Sequence, residues 1–158
     1  MYARIAISTM IGLRVVWMTG MLMVVSGCRV THPVADAASH APPPERILAP
    51  AYLEAAPGTG VVSVKRDAGS AGSECSVQVR VAAHPVAILR PSESVVLHLQ
   101  PGKHVLSATE ESSGGVCGLS RATAPEMRST QVTVSPERPV GVRIGYDSTG
   151  DVFITPTN

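Results

Sequence analysis

The stretch Val95-Val96-Leu97-His98-Leu99-Gln100-Pro101-Gly102-Lys103-His104-Val105-Leu106 decides the fold class. Two short, Val- and Leu-rich runs flank a Pro-Gly pair. Proline presets φ at the second position of a tight turn, and glycine supplies the positive φ that a type II turn needs at the third. The pattern therefore predicts a β-hairpin that joins residues 95–100 to residues 103–109.

Short Val-rich runs of this kind recur from Gly60 to the end of the chain, separated by clusters of Gly, Pro, Ser and Asp. This spacing predicts an all-β fold, a small antiparallel β-sandwich of about seven strands over residues 59–158. Pro156 ends the last run, so residues 151–156 are predicted to form an edge strand. We expect a partner to dock on this strand or on the adjoining 110–121 loop. The seven runs are Val61–Val64, Val77–Val81, Val95–Leu99, Val105–Ala108, Val132–Val134, Val140–Tyr146 and Val152–Ile154.

Residues 1–27 have the pattern of an export signal. Arg4 and Arg14 give a positive flank, Val15–Val25 is almost wholly apolar, and no acidic residue precedes Asp36. A transmembrane anchor is the alternative, but the uninterrupted apolar run is shorter than the roughly 20 residues that a spanning helix needs. We therefore expect a cleaved signal peptide.

The end of that apolar run, Val25-Ser26-Gly27-Cys28, resembles the bacterial lipobox. The resemblance implies that Cys28 becomes the mature N-terminus and carries a thioether-linked diacylglycerol, which makes the membrane a partner. Each buried acyl methylene contributes roughly 0.8 kcal/mol, so two or three chains anchor a protein stably. The resemblance also implies a cell-envelope location, and Arg29 after the cysteine favours the periplasmic face of the outer membrane.

Residues 28–58 are rich in Ala and Pro and contain the run Pro42-Pro43-Pro44. Such a composition predicts a flexible, extended linker that could reach on the order of 90 Å at about 3.1 Å per residue. The sequence Ile47–Ala56 is also compatible with a turn or two of helix on the domain.

Residues 77–108, "VQVRVAAHPVAILRPSESVVLHLQPGKHVLSA", resemble PEGA-type surface domains and related small β-sandwich lipoproteins of the envelope. The shared features are short strands, a polar kink, and an apolar strand that enters and leaves a Pro-Gly turn. The resemblance implies a non-catalytic surface or periplasmic module, and it assigns no functional residue.

Cys75 and Cys117 are the remaining cysteines, and an exported domain places them in an oxidising compartment. A disulfide between them is expected, and closing a loop of about 43 residues would stabilise the fold by ~4 kcal/mol. Free thiols or zinc ligation are the alternatives.

Zinc ligation would draw on His84, His98 and His104, which lie in the same region of the sequence. A two-residue hairpin loop would place His98 and His104 on opposite faces of the sheet, because side chains alternate along a strand. We therefore predict no metal site and no cofactor.

Composition and motifs argue against nucleic-acid binding and catalysis. Without Arg4 and Arg14 the chain has 11 basic and 12 acidic residues, and aromatic residues are only 3% of the whole. Glu110-Glu111 is expected to be a solvated turn, and Ser112–Gly115 lacks the lysine of a phosphate loop. The expected function is structural or adhesive, through another envelope protein; a small-ligand or metal-binding periplasmic module is the alternative, and a hydrolase is a third class.

Overall fold

The computed structural model describes residues 31–70, 72–111 and 127–157, and these residues form eight β-strands and three 3-10 turns. Within this described part there is no helix long and apolar enough to cross a membrane. The 3-10 turns are Asp36–Ala38, Pro44–Arg46 and Pro50–Tyr52. The strands are Gly60–Arg66 (β1), Ser76–Val81 (β2), His84–Leu89 (β3), Ser94–Leu99 (β4), Gly102–Glu111 (β5), Arg128–Val134 (β6), Val140–Tyr146 (β7) and Val152–Thr157 (β8).

The eight strands form two four-stranded sheets, ordered β4-β1-β7-β8 and β3-β2-β5-β6. Neighbouring strands are antiparallel except β1 and β7, which run parallel with Val62 opposite Val140. The predicted all-β class with two packed sheets is therefore confirmed.

The core follows from the alternation of side chains along each strand. In β1, Val62, Val64 and Arg66 point inward and are buried, whereas Ser63 and Lys65 point outward. The same alternation in the other strands gives a core made almost wholly of aliphatic side chains, to which Tyr146 adds one aromatic ring.

The predicted hairpin between residues 95–100 and 103–109 is wrong. β4 pairs with β1 in one sheet, while β5 pairs with β2 and β6 in the other. The Pro101-Gly102 turn, with Gly102 at φ +136°, thus carries the chain from one sheet to the other. A turn signature predicts a reversal of the chain but does not specify whether the flanking strands pair or face one another across a core.

Seven of the eight strands correspond to the predicted runs, and the additional strand is β3. It forms a hairpin with β2 through Ala82, which adopts φ +52°. Pro85 lies within β3, and the pairing shifts register opposite it, between Val79 and Arg80. Proline is confined to edge strands and bulges, and β3 is the edge of its sheet.

Residues 31–53, called the docked segment below, lie against the sandwich, which differs from the free linker predicted for residues 28–58. As the composition predicts, the segment contains no long regular element and has only 3-10 turns and isolated backbone bridges. Its apolar side chains nevertheless pack on the core, among them Ile47, Tyr52 and Leu53. Within Ile47–Ala56 the helical content is the single turn Pro50–Tyr52.

Candidate functional site

The docked segment is fixed to the sandwich at its first described residue. The side chain of Thr31 is buried, with 6% of the residue exposed. Its Oγ1 accepts a hydrogen bond from the backbone N of Tyr146 at 2.9 Å. The hydroxyl hydrogen has two acceptors in reach, Oδ2 of Asp67 at 3.2 Å and the carbonyl of Tyr146 at 3.1 Å. The chain is therefore held where β7 ends and β1 has just ended.

Gly145 makes room for this attachment. A β-carbon at position 145 would lie about 2.5 Å from both Oδ2 of Asp67 and Oγ1 of Thr31, and 2.6 Å from the ring of Phe153. A side chain at this position would collide with three neighbours at once. Glycine is required here for close approach rather than for an unusual φ.

Asp67 joins the attachment to an ion pair on the outer face of the first sheet. Its carboxylate accepts hydrogen bonds from Nε of Arg143 at 2.8 and 2.9 Å, and Nη2 of Arg143 lies 2.7 Å from Oδ2. These hydrogen bonds raise the pKa of Arg143 against the opposing effect of burial. The guanidinium also lies 5.3 Å from the centre of the Phe153 ring, in cation–π range. The cluster ties the docked segment to β7 and β8.

The docked segment also covers the two sheet edges on one side of the sandwich. At β3, the backbone N–H groups of Leu48 and Ala49 donate to the carbonyl of Val86 at 2.8 and 3.2 Å. Just before β4, the N–H of His40 donates to the carbonyl of Ser92 at 3.1 Å, and the carbonyl of His40 accepts from the N–H of Ser94, the first residue of β4, at 2.9 Å. Both β3 and β4 are terminal strands of their sheets, so the segment occupies one backbone position on each of these two edges.

A buried carboxylate anchors the middle of the docked segment. The guanidinium of Arg46 donates to both oxygens of Glu93, at 2.6 and 2.5 Å, and the backbone N of Arg90 donates to Oε2 at 2.7 Å. Burial by itself raises the pKa of Glu93, but these hydrogen bonds and the charge of Arg46 together lower it below the ordinary value. Nε2 of His40 lies 3.8 Å from the same carboxylate.

A second buried charge, Arg66, lies at the inner end of β1 with 1% of the residue exposed. Its guanidinium donates to the backbone carbonyls of Cys75 at 2.5 Å, Leu89 at 2.9 Å and Gly72 at 2.6 Å. Burial lowers the pKa of Arg66, against the charges of nearby acidic groups. Arg66 therefore ties β1 to the opposite sheet and to the loop before β2.

Glu110 belongs to the same buried cluster. Arg66 lies 5.3 Å from the centre of the Tyr146 ring, and the Tyr146 hydroxyl donates to Oε1 of Glu110 at 3.3 Å. Glu110 is buried within β5, so the expectation of a solvated turn at Glu110-Glu111 is wrong. The sequence signal was available, since Arg66 and Glu110 both stand at inward positions of alternating strands.

The cysteines singled out by the sequence are only partly described. Cys75 is buried at the start of β2. Cys28, Cys117, the signal sequence 1–27 and the loop residues 112–121 lie outside the described residues. Lipidation of Cys28 and the Cys75–Cys117 disulfide therefore stay predictions.

The three histidines considered as zinc ligands are not brought together. His84 begins β3, and His98 and His104 lie on β4 and β5, which belong to different sheets. Nε2 of His104 is 2.7 Å from the carbonyl oxygen of Gln100. Among residues 31–70, 72–111 and 127–157, no three His, Cys, Asp or Glu side chains are placed to hold a metal ion.

A groove of about 680 Å³, lined by both polar and apolar groups, lies between the docked segment and the outer face of the first sheet. Its charged lining residues form two ion pairs, Lys65 with Asp36 and Arg143 with Asp67. The groove is thus lined by opposite charges that neutralise each other.

The opposite side of the sandwich is formed by β6 and β8, and each has one paired neighbour within the described part of the chain. The prediction that residues 151–156 form an edge strand is confirmed. Its residues Val152 and Ile154 are buried core residues, so charges placed there would disrupt the fold. The exposed side chains on this side are Ser129, Gln131 and Thr133 of β6, and Thr155, Pro156 and Thr157 of β8.

Comparison of the chain with protein-family models, with curated proteins and with solved structures gave no match.

Proposed function

We propose that this chain is a lipid-anchored cell-envelope protein whose β-sandwich acts by binding another envelope protein rather than by catalysis. The lipid anchor is inferred from Val25-Ser26-Gly27-Cys28 behind a basic and apolar segment. The binding role is inferred from the unequal protection of the sheet edges, which is the observation that carries the proposal.

The two sides of the sandwich differ in how their edge strands are protected. On one side the docked segment makes backbone hydrogen bonds with Val86 of β3 and with Ser94 of β4, which is one position on each edge. On the other side, within the described residues, β6 and β8 each have a single paired neighbour. An uncovered edge offers a row of backbone donors and acceptors to which an extended segment can add as a further strand.

Of the two strands on the open side, β6 is the better acceptor for a partner strand. β8 contains Pro156, which lacks a backbone N–H and so interrupts a ladder. β6 has seven residues without proline, and its only charged residue is Arg128 at the start. Its exposed Gln131 and Thr133 offer amide and hydroxyl groups to a polar partner, whereas the Ser129 hydroxyl is hydrogen-bonded to that of Ser107 on β5 at 3.0 Å. We therefore place the docking strand at β6.

The alternative of a small-ligand module is less well supported. The groove would have to bind a charged ligand by breaking an existing ion pair, Asp36–Lys65 or Asp67–Arg143. Replacing Asp67 as the partner of Arg143 is costly because the side chain of Asp67, which would be left unpaired, is only 1% exposed.

Site-specific photo-crosslinking in intact cells tests the docking strand. A photoreactive amino acid is placed at Thr133 on β6, at Thr155 on β8, and at Glu45 on the covered side as the matched control, since all three residues are exposed. The proposal expects one discrete crosslinked product from position 133 and none from position 45. A product from position 155 alone would move the docking strand to β8, and the absence of products from both open-side positions would overturn the binding role.

A further inference from the structure

The backbone of β6 presents every second residue to the open side of the second sheet. The N–H of Ala82 donates to the carbonyl of Val105 at 2.8 Å, so Val105 on β5 directs its backbone groups towards β2. Because the direction of hydrogen bonding alternates along a strand, the even-numbered residues of β5 bond to the even-numbered residues of β6. Ser129, Gln131 and Thr133 therefore direct their backbone N–H and carbonyl groups outward, away from β5.

The outward edge of β6 lacks the features that commonly prevent strand addition. The edge strands β3 and β8 each contain a proline, Pro85 and Pro156. Between Ser129 and Val134, β6 has neither a proline nor a charged residue, and its pairing with β5 is continuous over all seven residues. Lysine, proline and bulges are the usual means by which edge strands avoid pairing with another chain. Within the described part of the chain, β6 is therefore the edge most suited to a further strand.

We propose that a second copy of this chain occupies this edge, so that two β6 strands pair antiparallel about a two-fold axis at Gln131. This pairing presupposes the proposed docking role of β6 and names the partner of that strand. In this register Gln131 faces Gln131 of the second copy, and Ser129 faces Thr133 of the second copy. All three outward residues then form hydrogen-bonded pairs, and each pair exchanges two backbone hydrogen bonds.

The side chains along this edge are complementary to themselves. The Gln131 amide carries both a donor and an acceptor group, so it can bond to the same amide across the axis. The only charged residue of β6 is Arg128, and the antiparallel register places its two copies at opposite ends of the seam. Six residue steps separate them by about 20 Å at ~3.4 Å per residue, which exceeds the Debye length of about 8 Å at physiological ionic strength. A parallel register would instead place the two charges side by side.

Pairing of this kind ends at two copies. The interface is isologous, so each copy uses its β6 edge once and covers that of the other copy. The far edge of the same sheet is β3, where Pro85 lacks a backbone N–H and the carbonyl of Val86 already accepts hydrogen bonds from the docked segment. The expected product is therefore a dimer with one continuous sheet, to which each copy contributes four strands, and not a fibre.

Charge substitutions at Gln131 test the two-fold register in the full chain. Two differently tagged copies, each with a photoreactive amino acid at position 133, are expressed together and illuminated in intact cells. The parent pair should give a product of twice the chain mass that carries both tags. Gln131→Lys in both copies, or Gln131→Glu in both copies, should reduce this product several-fold because like charges would face each other across the axis.

A copy with Gln131→Lys expressed with a copy with Gln131→Glu should restore the product that carries both tags. This restoration also shows that each variant folds, since an unfolded copy could not recover the contact. Thr155→Lys on β8 is the matched control, because residue 155 is exposed on the same side of the sandwich and should leave the product unchanged.

The composition of the product separates the possible failures. A product with both tags that ignores the charges at position 131, or that the Lys–Glu combination does not restore, would overturn the two-fold pairing at Gln131. A product from position 133 that joins this chain to a different protein would overturn the second copy as the occupant and leave the proposed binding role standing. The absence of any product from positions 133 and 155 would overturn both.

Discussion

The hydroxyl oxygen of Thr31 accepts a hydrogen bond of 2.9 Å from the backbone nitrogen of Tyr146, which lies 115 positions further along the chain. This contact joins the beginning of the described chain to the end of β7. A segment that composition alone marks as a linker is thereby fixed to the body of the domain at the first described residue after the proposed lipidation site.

Replacing Thr31 by valine keeps the shape of the side chain and removes the hydroxyl. Because the buried N–H of Tyr146 would lose its acceptor, we expect the free energy of unfolding to fall by about 1–3 kcal/mol. Urea denaturation measures the loss, and amide exchange at Tyr146 should become faster. Thr133→Val on the exposed face of β6 is the control, expected within about 0.5 kcal/mol of the parent protein. Equal losses in the two variants would contradict the assigned role of Thr31.

Acid should release the middle of the docked segment. The pKa of Glu93 in the folded state lies below its ordinary value of about 4.3, so the stabilisation from this carboxylate is complete above that value and is lost as the pH falls through the lowered pKa. NMR signals of the His40 and Leu48 amides, followed from neutral pH downward, should shift together over this range. In Glu93→Gln the same signals should be independent of pH there, and an unchanged titration in that variant would refute the assignment.

Gly145→Ala should disturb the attachment of the docked segment. A β-carbon at position 145 would lie about 2.5 Å from atoms of Asp67 and Thr31, so we expect a loss of ~2 kcal/mol in the free energy of unfolding. The Arg143 side-chain N–H signal should shift as its carboxylate partner moves. Gly58→Ala is the control, because its β-carbon would meet nothing within 4 Å and only the φ of +79° disfavours it. If Gly145→Ala changed neither the free energy of unfolding nor the Arg143 signal, the segment would not be held at this point.

The predicted Cys75–Cys117 disulfide should contribute to the stability of protein isolated without reductant. Peptide mapping without reductant should recover the two cysteines joined. Cys117→Ser should lower the free energy of unfolding by ~4 kcal/mol, the value expected for closing a loop of about 43 residues. Reduction of the parent protein should lower that free energy as well. Two alkylatable thiols at positions 75 and 117 would contradict the bridge.

The fold class was predictable because alternation along a strand is a local property. Val62, Val64 and Arg66 point inward and Ser63 and Lys65 outward, as the period of two requires. The pairing of strands was not predictable, since it depends on residues far apart in the sequence. Pro101-Gly102 marks a turn, yet the strands on either side of it pair with β1 and β2 rather than with each other.

The attachment of the docked segment was also beyond sequence reasoning. A proline-rich composition excludes helices and long ladders, but it does not reveal whether single residues such as Leu48 find backbone partners on an edge strand. Arg46 and Glu93, which fix the middle of the segment, are 47 positions apart and belong to no motif. A local signal exists for a different pair, Arg66 and Glu110: both are charged residues at inward positions of alternating strands, which predicts that they are buried.

Mass spectrometry of the mature protein isolated from membranes tests the proposed lipid anchor. We expect a chain that begins at Cys28 and carries the added mass of a diacylglyceryl group, and we expect a Cys28→Ala variant to stay as an unprocessed precursor. A mature chain that begins at another residue, or one that begins at Cys28 without acyl mass, would contradict it.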